Sequence, residues 1–176
     1  REQAIATTAH TTGDHDDRDG RQQTMPADGP EIVIIDDTPA NLRLLTFILT
    51  AAGYRVREGS DARTGMQAIR ELTPDLVLLD VDMPGMNGLE VCRRLKADAQ
   101  ASHVPIIFIS ALDEPEDKVR AFQAGGVDYV TKPFQFEEVL ARVATHLKMR
   151  EMHTALEARV EMRTTELREL NEAAQR

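Results

Sequence analysis

Between residues 31 and 148 the chain repeats one pattern five times: a short apolar run, then a longer segment with apolar residues at helical spacing. The apolar runs predict β-strands, because they are short and are bounded by polar or turn-forming residues. We place the strands at residues 31–36, 54–59, 75–80, 104–110 and 127–131.

The segments between these runs predict amphipathic helices. In the first helix Leu42, Leu45 and Ile48 share one face, while Pro39 marks its start. Asp61 stands where an N-cap is expected for the second. We place the helices at residues 39–53, 61–72, 88–98, 114–125 and 135–147.

Strict alternation of strands and helices favours an α/β domain with a parallel sheet. Runs such as "IVII", "LVLL" and "IIFI" show no alternation of apolar and polar positions. Such strands require apolar cover on both faces, which helices on either side of the sheet provide. The sequence therefore predicts a doubly wound (βα)5 domain.

Chemically active side chains stand where the predicted strands end. Asp36 and Asp37 end the first strand, Asp80 ends the third, Ser110 ends the fourth, and Lys132 follows the fifth. Ligand sites of such sheets lie at the carboxyl ends of the strands, so these groups are expected to converge.

Three clustered carboxylates raise one another's pKa unless a cation neutralises them. Oxygen ligands favour a hard ion that keeps several waters, so Mg²⁺ is the expected cofactor. A neighbouring ammonium and hydroxyl suit a phosphoryl group in transfer. One carboxylate then acts as the nucleophile, and Asp80 is the best candidate because its strand is central.

Each of these residues also has a simpler interpretation when it is taken alone. Asp36 or Asp37 could cap the next helix, Ser110 could satisfy backbone groups, and Lys132 could be a solvated surface charge. Their occurrence together at four of five strand ends favours the functional interpretation. Cys92, next to Val91 on an amphipathic helix, is expected to be a small buried apolar residue.

Composition narrows the class of protein. The net charge of −9 argues against non-specific binding to nucleic acid or to an anionic membrane. No apolar run approaches the roughly 20 residues that a membrane helix needs, and a single cysteine fits a reducing cytoplasm. Residues 1–30 are polar and are expected to form a disordered tail.

Four stretches resemble the receiver domain of bacterial two-component response regulators: "IVIIDDTPANLRLL", "PDLVLLDVDMPGMNGLEVCRRLK", "VPIIFISAL" and "AGGVDYVTKPF". The resemblance covers residues 31–148. It implies a flavodoxin-like fold with strand order 2-1-3-4-5, a bacterial cytoplasmic location, and a histidine kinase or phosphotransfer protein as partner.

The resemblance also assigns roles to individual residues. It implies that Asp80 is the phosphoacceptor and that Ser110 and Lys132 contact the phosphoryl group. The implied Mg²⁺ ligands are Asp36, Asp37, Asp80 and the backbone carbonyl of Asp82. Ser110 and Tyr129 match the switch pair, with Tyr129 expected to move inward on phosphorylation, and the bond between Lys132 and Pro133 is expected to be cis.

The glycines of "DMPGMNG" fit this assignment, because Gly85 and Gly88 let the chain turn sharply after Asp80. Asp82 departs mildly from the family pattern. Its side chain adds a negative charge beside the phosphorylation site, which could alter the lifetime of the phosphoryl group.

Residues 149–176 contain no proline or glycine and predict a coiled-coil helix. Two polar residues, His153 and Arg163, interrupt the apolar seam. Its apolar members are Met149, Leu156, Val160, Leu167 and Leu170. A parallel homodimer is favoured over a single helix that folds back on the domain.

The chain is thus expected to be a signalling module that catalyses only its own phosphorylation and slow dephosphorylation. It ends inside a predicted helix, which favours a further output domain: a nucleotide cyclase, a cyclic-di-nucleotide enzyme or a histidine kinase. No DNA-binding segment is recognisable. The alternatives are a Mg²⁺-dependent phosphatase with an Asp nucleophile, which "DVD" at residues 80–82 imitates, and, less favoured, a scaffold that is not phosphorylated.

Overall fold

The computed structural model describes residues 29–175. Five parallel strands form one sheet in the order β2-β1-β3-β4-β5, as the family resemblance implied. The strands are β1 Glu31–Ile35, β2 Arg55–Gly59, β3 Leu76–Asp80, β4 Ile106–Ser110 and β5 Asp128–Thr131. The helices are α1 Pro39–Ala51, α2 Ala62–Leu72, α3 Gly88–Ala97, α4 Pro115–Gln123 and α5 Phe136–Ala174. The disordered tail predicted for residues 1–30 falls almost wholly outside the described residues.

Both faces of the sheet are buried, which explains the uninterrupted apolar runs. Along β1, Val33 and Ile35 face a core shared with α2, α3 and α4. Their neighbours Ile32 and Ile34 face a second core shared with α1 and α5. Successive side chains of a strand point to opposite faces, so a strand covered on both sides must be apolar at every position.

Local signals set the helix ends. Asp61 caps α2: its side chain accepts from the backbone N–H of Thr64, while Thr64 Oγ1 accepts from the Asp61 N–H. The first helix ends at Ala51 rather than at the predicted residue 53, because Gly53 adopts a φ of +94° that ends helical geometry.

The strand predicted at residues 104–110 begins only at Ile106. The Val104 carbonyl accepts instead from Lys96 Nζ at 2.7 Å. The next residue, Pro105, has no N–H to contribute to a ladder.

The last helix of the domain and the predicted coiled-coil segment form one continuous helix of 39 residues. Leu147 packs against the core, and the Arg150 guanidinium donates to the Pro74 carbonyl at 2.8 Å. Residues 151–175 are exposed, so the alternative of a helix folded back on the domain is wrong. None of the helices described, including this one, is long and apolar enough to cross a membrane.

Candidate functional site

Three carboxylates meet at the carboxyl edge of the sheet, where the sequence predicted them. Asp36 follows β1, Asp37 is its neighbour, and Asp80 is the last residue of the central strand β3. One oxygen from each lies within 4.8 Å of the others. Asp36 and Asp80 are 1% and 3% exposed, whereas Asp37 is open to solvent. The cluster is therefore a buried acidic pair with an accessible third member.

Hydrogen bonds from the start of α1 hold Asp36 in this cluster. Its Oδ1 accepts from the Thr38 N–H at 2.8 Å, and its Oδ2 accepts from Asn41 Nδ2 at 3.0 Å. Thr38, not Asp36 or Asp37, is the N-cap of α1. The capping interpretation of the acidic pair is thus wrong, although Asp36 does order the entry to the helix.

Lys132 lies between the two buried carboxylates. Its Nζ is 3.0 Å from Asp36 Oδ2 and 3.2 Å from Asp80 Oδ1, and only 19% of its side chain is exposed. Burial lowers the pKa of Lys132, but the bonds and charges of the two carboxylates outweigh burial and leave the pKa raised. Lys132 is therefore a charged internal bridge, not a solvated surface residue.

The backbone places Lys132 next to the fourth strand. Its N–H donates to the Ser110 carbonyl at 2.7 Å, and the peptide bond between Lys132 and Pro133 is cis, as expected from the resemblance. The end of β4 and the residue that follows β5 are thus joined directly through their backbones.

Burial dominates the electrostatics of Asp80. It raises the pKa of Asp80 to about 6, and the charge of Asp36 pushes in the same direction. The attraction of Lys132 opposes both effects without overcoming them. One ammonium thus only partly compensates two buried carboxylates, so the site favours a further cation.

The Ser110 hydroxyl is turned toward Asp82. Ser110 Oγ donates to Asp82 Oδ2 at 3.0 Å and accepts from the Leu112 N–H at 3.1 Å. Ser110 is fully buried, whereas Asp82 is exposed. The sequence indicated both residues but not this contact, since nothing in the "DVD" pattern shows which way the Asp82 side chain points.

Tyr129 already lies inward. It is 7% exposed, and its hydroxyl donates to the Leu112 carbonyl at 2.5 Å. The ring is thus buried while the Ser110 hydroxyl is still bonded to Asp82, and the movement expected on phosphorylation stays a prediction. Ser110 and Tyr129 are nonetheless linked, since both bind the backbone of Leu112.

The turn from β3 into α3 confirms the predicted use of glycine. Gly85 has a φ of +81°, which side-chain-bearing residues rarely adopt. A Cβ on Gly88 would lie 2.1 Å from the Asp80 carbonyl oxygen. The chain thus returns past the end of β3 so closely that only glycine fits.

Cys92 takes no part in the site. It is fully buried, its thiol lies 3.3 Å from the Ala124 carbonyl, and burial raises its pKa to about 11. This confirms its interpretation as a small buried apolar residue.

A divalent cation is compatible with the donor set. The cluster supplies only carboxylate oxygens, and Asp37 leaves one side open to solvent. This chemistry suits a hard ion such as Mg²⁺, which retains water ligands. In contrast, the predicted seam residues, Met149 to Leu170, lie on the exposed part of α5 and not at this site.

Comparison with known protein families adds an independent observation. The family model of the response regulator receiver domain matches residues 32–144. This region contains every residue of the acidic site. The match favours the receiver interpretation over the phosphatase alternative.

Curated relatives of the chain are likewise response regulators or transcriptional regulators. The DNA-binding dual master transcriptional regulator RpaA of Synechocystis is 41% identical over 68% of this chain and 49% of its own length. The DNA-binding response regulator MtrA of Mycolicibacterium smegmatis is 42% identical over 68% of this chain and 51% of its own. The response regulator PleD of Caulobacter vibrioides is 42% identical over 64% of this chain and 25% of its own length. This chain thus spans about half the length, or less, of these relatives.

Solved structures show the same fold. A putative response regulator from Chloroflexus aurantiacus superimposes with a TM-score of 0.66 at 30% identity, covering 69% of this chain and 99% of that one. The signal receiver domain of a histidine kinase from Syntrophus aciditrophicus gives 0.64 at 32% identity, covering 68% and 91%.

Proposed function

This chain belongs to the response regulator receiver domain family, and we propose that it accepts a phosphoryl group on Asp80 from a histidine kinase or phosphotransfer protein in the bacterial cytoplasm. The observation that carries this proposal is the position of Asp80. Its buried carboxylate ends the central strand, beside Asp36 and within reach of the Lys132 ammonium.

The transfer follows from this arrangement. An Asp80 carboxylate oxygen attacks the phosphorus of a phosphoimidazole, a P–O bond forms, and the P–N bond breaks. The imidazole leaves with the electron pair and takes up a proton. Lys132 faces the negative oxygens of the group in transfer, and the Ser110 hydroxyl supplies a hydrogen bond once it turns from Asp82.

We propose that Asp36, Asp37, Asp80 and the backbone carbonyl of Asp82 hold Mg²⁺. When bound, the ion supplies positive charge for the phosphoryl oxygens, which a single ammonium cannot fully neutralise. The raised pKa of Asp80 agrees with this proposal: burial is its main cause, the charge of Asp36 adds to it, and Lys132 compensates the two only in part. Asp37→Asn should weaken Mg²⁺ binding, measured by calorimetry, whereas Asp117→Asn on α4 should not. Equal affinities for these two variants would contradict the assignment.

Phosphorylation is tested with acetyl phosphate and Mg²⁺. The intact mass should increase by one phosphoryl group, which alkali removes and mild acid does not. Asp80→Asn should remain unlabelled because an amide is not a competent nucleophile, and Asp113→Asn, at an exposed carboxylate, serves as the matched control. Equal labelling of Asp80→Asn and the wild type would overturn the proposal.

We further propose that residues 31–148 form the receiver domain and that residues 149–176 form a coiled-coil linker that joins two copies of the chain. The support is the exposure of an apolar seam. Its five apolar members are each more than half exposed and are separated by three, four or seven residues, as in a heptad pattern: Met149, Leu156, Val160, Leu167 and Leu170. A lone soluble helix gains nothing from such a stripe, whereas a second copy would bury it.

The dimer is tested by comparing a charged substitution in the apolar seam of α5 with the same substitution on the opposite face of α5. Leu167→Glu places a charge in the seam and should shift the molar mass in multi-angle light scattering from dimer to monomer. Thr165→Glu places the same charge on the opposite face and should leave the dimer intact. A monomeric wild type, or equal behaviour of the two variants, would contradict the coiled coil.

The output that the coil would control stays a prediction. The sequence favours an enzymatic module, whereas the names of RpaA and MtrA favour DNA binding by a longer protein. In either case the continuous α5 would connect the receiver domain to the linker without a flexible break.

A further inference from the structure

The hydroxyl of Ser110 has only one proton to donate, and this proton is committed to the side chain of Asp82. The Ser110 oxygen is also occupied as an acceptor, by the Leu112 N–H at 3.1 Å. While this arrangement persists, Ser110 cannot donate to a phosphoryl group on Asp80.

We propose that the Asp82 carboxylate is a latch that competes with the phosphoryl group for the proton of Ser110. This inference rests on the proposed phosphorylation of Asp80. It assigns a role to the side chain of Asp82, separate from the metal contact proposed for its backbone carbonyl. Asp82 is a positioning residue, since it acts through Ser110 and not on the reacting atoms.

Two observations favour a latch over a structural contact. Within residues 29–175 the Asp82 side chain accepts no other hydrogen bond and pairs with no cation, because Lys132 is engaged by Asp36 and Asp80. Asp82 is also exposed, so water can solvate its carboxylate when Ser110 turns away. The contact is thus a single charge-assisted hydrogen bond that can open without leaving a buried charge.

Leu112 connects the latch to the switch tyrosine. Its N–H donates to Ser110 Oγ, and its carbonyl accepts from the Tyr129 hydroxyl at 2.5 Å. A reorientation of Ser110 therefore changes the hydrogen bond of the residue that holds Tyr129. Opening of the latch should reach the surface around β5 by this path.

A charge effect independent of Ser110 must be separated from the latch. The Asp82 carboxylate also repels any anion on Asp80, whether or not Ser110 carries a hydroxyl. A double-mutant cycle distinguishes the two, because Ser110→Ala removes the latch and keeps the charge of Asp82. The coupling between the two substitutions then measures the latch alone.

The test uses beryllofluoride, a phosphoryl mimic, at saturating Mg²⁺. Four proteins are compared: the wild type, Asp82→Ala, Ser110→Ala and the double variant. All carry Tyr54→Phe, which leaves Tyr129 as the sole tyrosine in a chain without tryptophan. The change in tyrosine fluorescence on beryllofluoride binding then comes from Tyr129 alone.

Asp82→Ala should tighten beryllofluoride binding by about tenfold when Ser110 is present, the typical effect of one charge-assisted hydrogen bond. In the Ser110→Ala background the gain should fall to about threefold or less, the part due to charge. Equal gains in the two backgrounds would overturn the latch and leave the proposed function intact. Failure of the wild type to bind beryllofluoride would overturn both.

A second measurement needs no phosphoryl mimic. In the free protein, Asp82→Ala should shift the NMR signal of the Leu112 amide, because its acceptor Ser110 is released. The same substitution in the Ser110→Ala background should leave this signal in place. A Leu112 amide that is unaffected by Asp82→Ala, or affected equally in both backgrounds, would contradict the latch.

Discussion

The cost of burying Asp80 gives a quantitative prediction. Asp80→Asn should stabilise the metal-free protein, because the carboxylate is 3% exposed and its pKa is raised by burial from an ordinary 3.8 to about 6. Each pKa unit corresponds to ~1.36 kcal/mol, so ionised Asp80 lowers the free energy of unfolding by about 3 kcal/mol at pH 7.5. This figure is already net of the attraction between Lys132 and ionised Asp80, so the expected gain for Asp80→Asn is about 3 kcal/mol.

The sign of the pH dependence follows from the raised pKa. Well above pH 6 the folded protein carries a charge that the unfolded chain solvates better, so the penalty is complete. As the pH falls from about 6 to 3.8 the folded state binds the proton first, and the penalty disappears. The advantage of Asp80→Asn should therefore shrink to below about 0.6 kcal/mol at pH 4.

Urea unfolding followed by circular dichroism in EDTA measures this difference at pH 7.5 and pH 4. Glu71→Gln is the matched control: it removes an exposed charge, and its amide oxygen can still accept from Gln67 Nε2. This control should change stability little at either pH. If Asp80→Asn is no more stable than the wild type at pH 7.5, or is equally stabilised at both pH values, burial of the Asp80 charge does not carry the expected penalty.

Three further outcomes are expected. The buried Cys92 thiol, whose pKa is raised to about 11, should react with Ellman's reagent at pH 8 at least 100-fold more slowly in the folded than in the unfolded protein; similar rates would contradict its burial. Gly88→Ala should lower the free energy of unfolding in urea by about 3 kcal/mol, because its Cβ would clash with the Asp80 carbonyl. Gly85→Ala should lower it by only about 1 kcal/mol, because there only the positive φ is unfavourable. Equal losses for the two variants would contradict this difference. Burial raises the pKa of Asp128, but hydrogen bonds from His146 and from the backbone outweigh burial and leave the pKa lowered. Asp128→Asn should therefore cost about 1 kcal/mol of unfolding free energy at pH 7, and this cost should vanish as the pH falls through the lowered pKa. A cost that does not change with pH would contradict the pairing of Asp128 with His146.

The acidic site could be predicted because the end of each buried strand is visible in the sequence as the end of an apolar run. A run such as "LVLLD" shows where burial stops and where Asp80 begins, and parallel strands bring such ends to one edge. Strand order came from the family resemblance, since periodicity alone does not order parallel strands. Asp61 at the start of α2 was recognisable because capping depends on neighbours along the chain.

Other features depend on contacts between distant parts of the chain, which no local pattern encodes. The hydrogen bond between Ser110 and Asp82 joins residues 28 positions apart, and that of Tyr129 to Leu112 spans 17. Which of several acceptors a buried hydroxyl chooses depends on the packing of two strands. The sequence therefore singled out Ser110 and Tyr129 but not the hydrogen bonds that they make.

Chemical trapping of the product shows whether Asp80 itself becomes phosphorylated. Borohydride reduces an aspartyl phosphate to homoserine, so labelling with acetyl phosphate and Mg²⁺, reduction, digestion and tandem mass spectrometry locate the modified residue. We expect homoserine at position 80 and none in a sample without phosphodonor. Homoserine at Asp36, Asp37 or Asp82, or at no residue of the chain, would contradict this expectation.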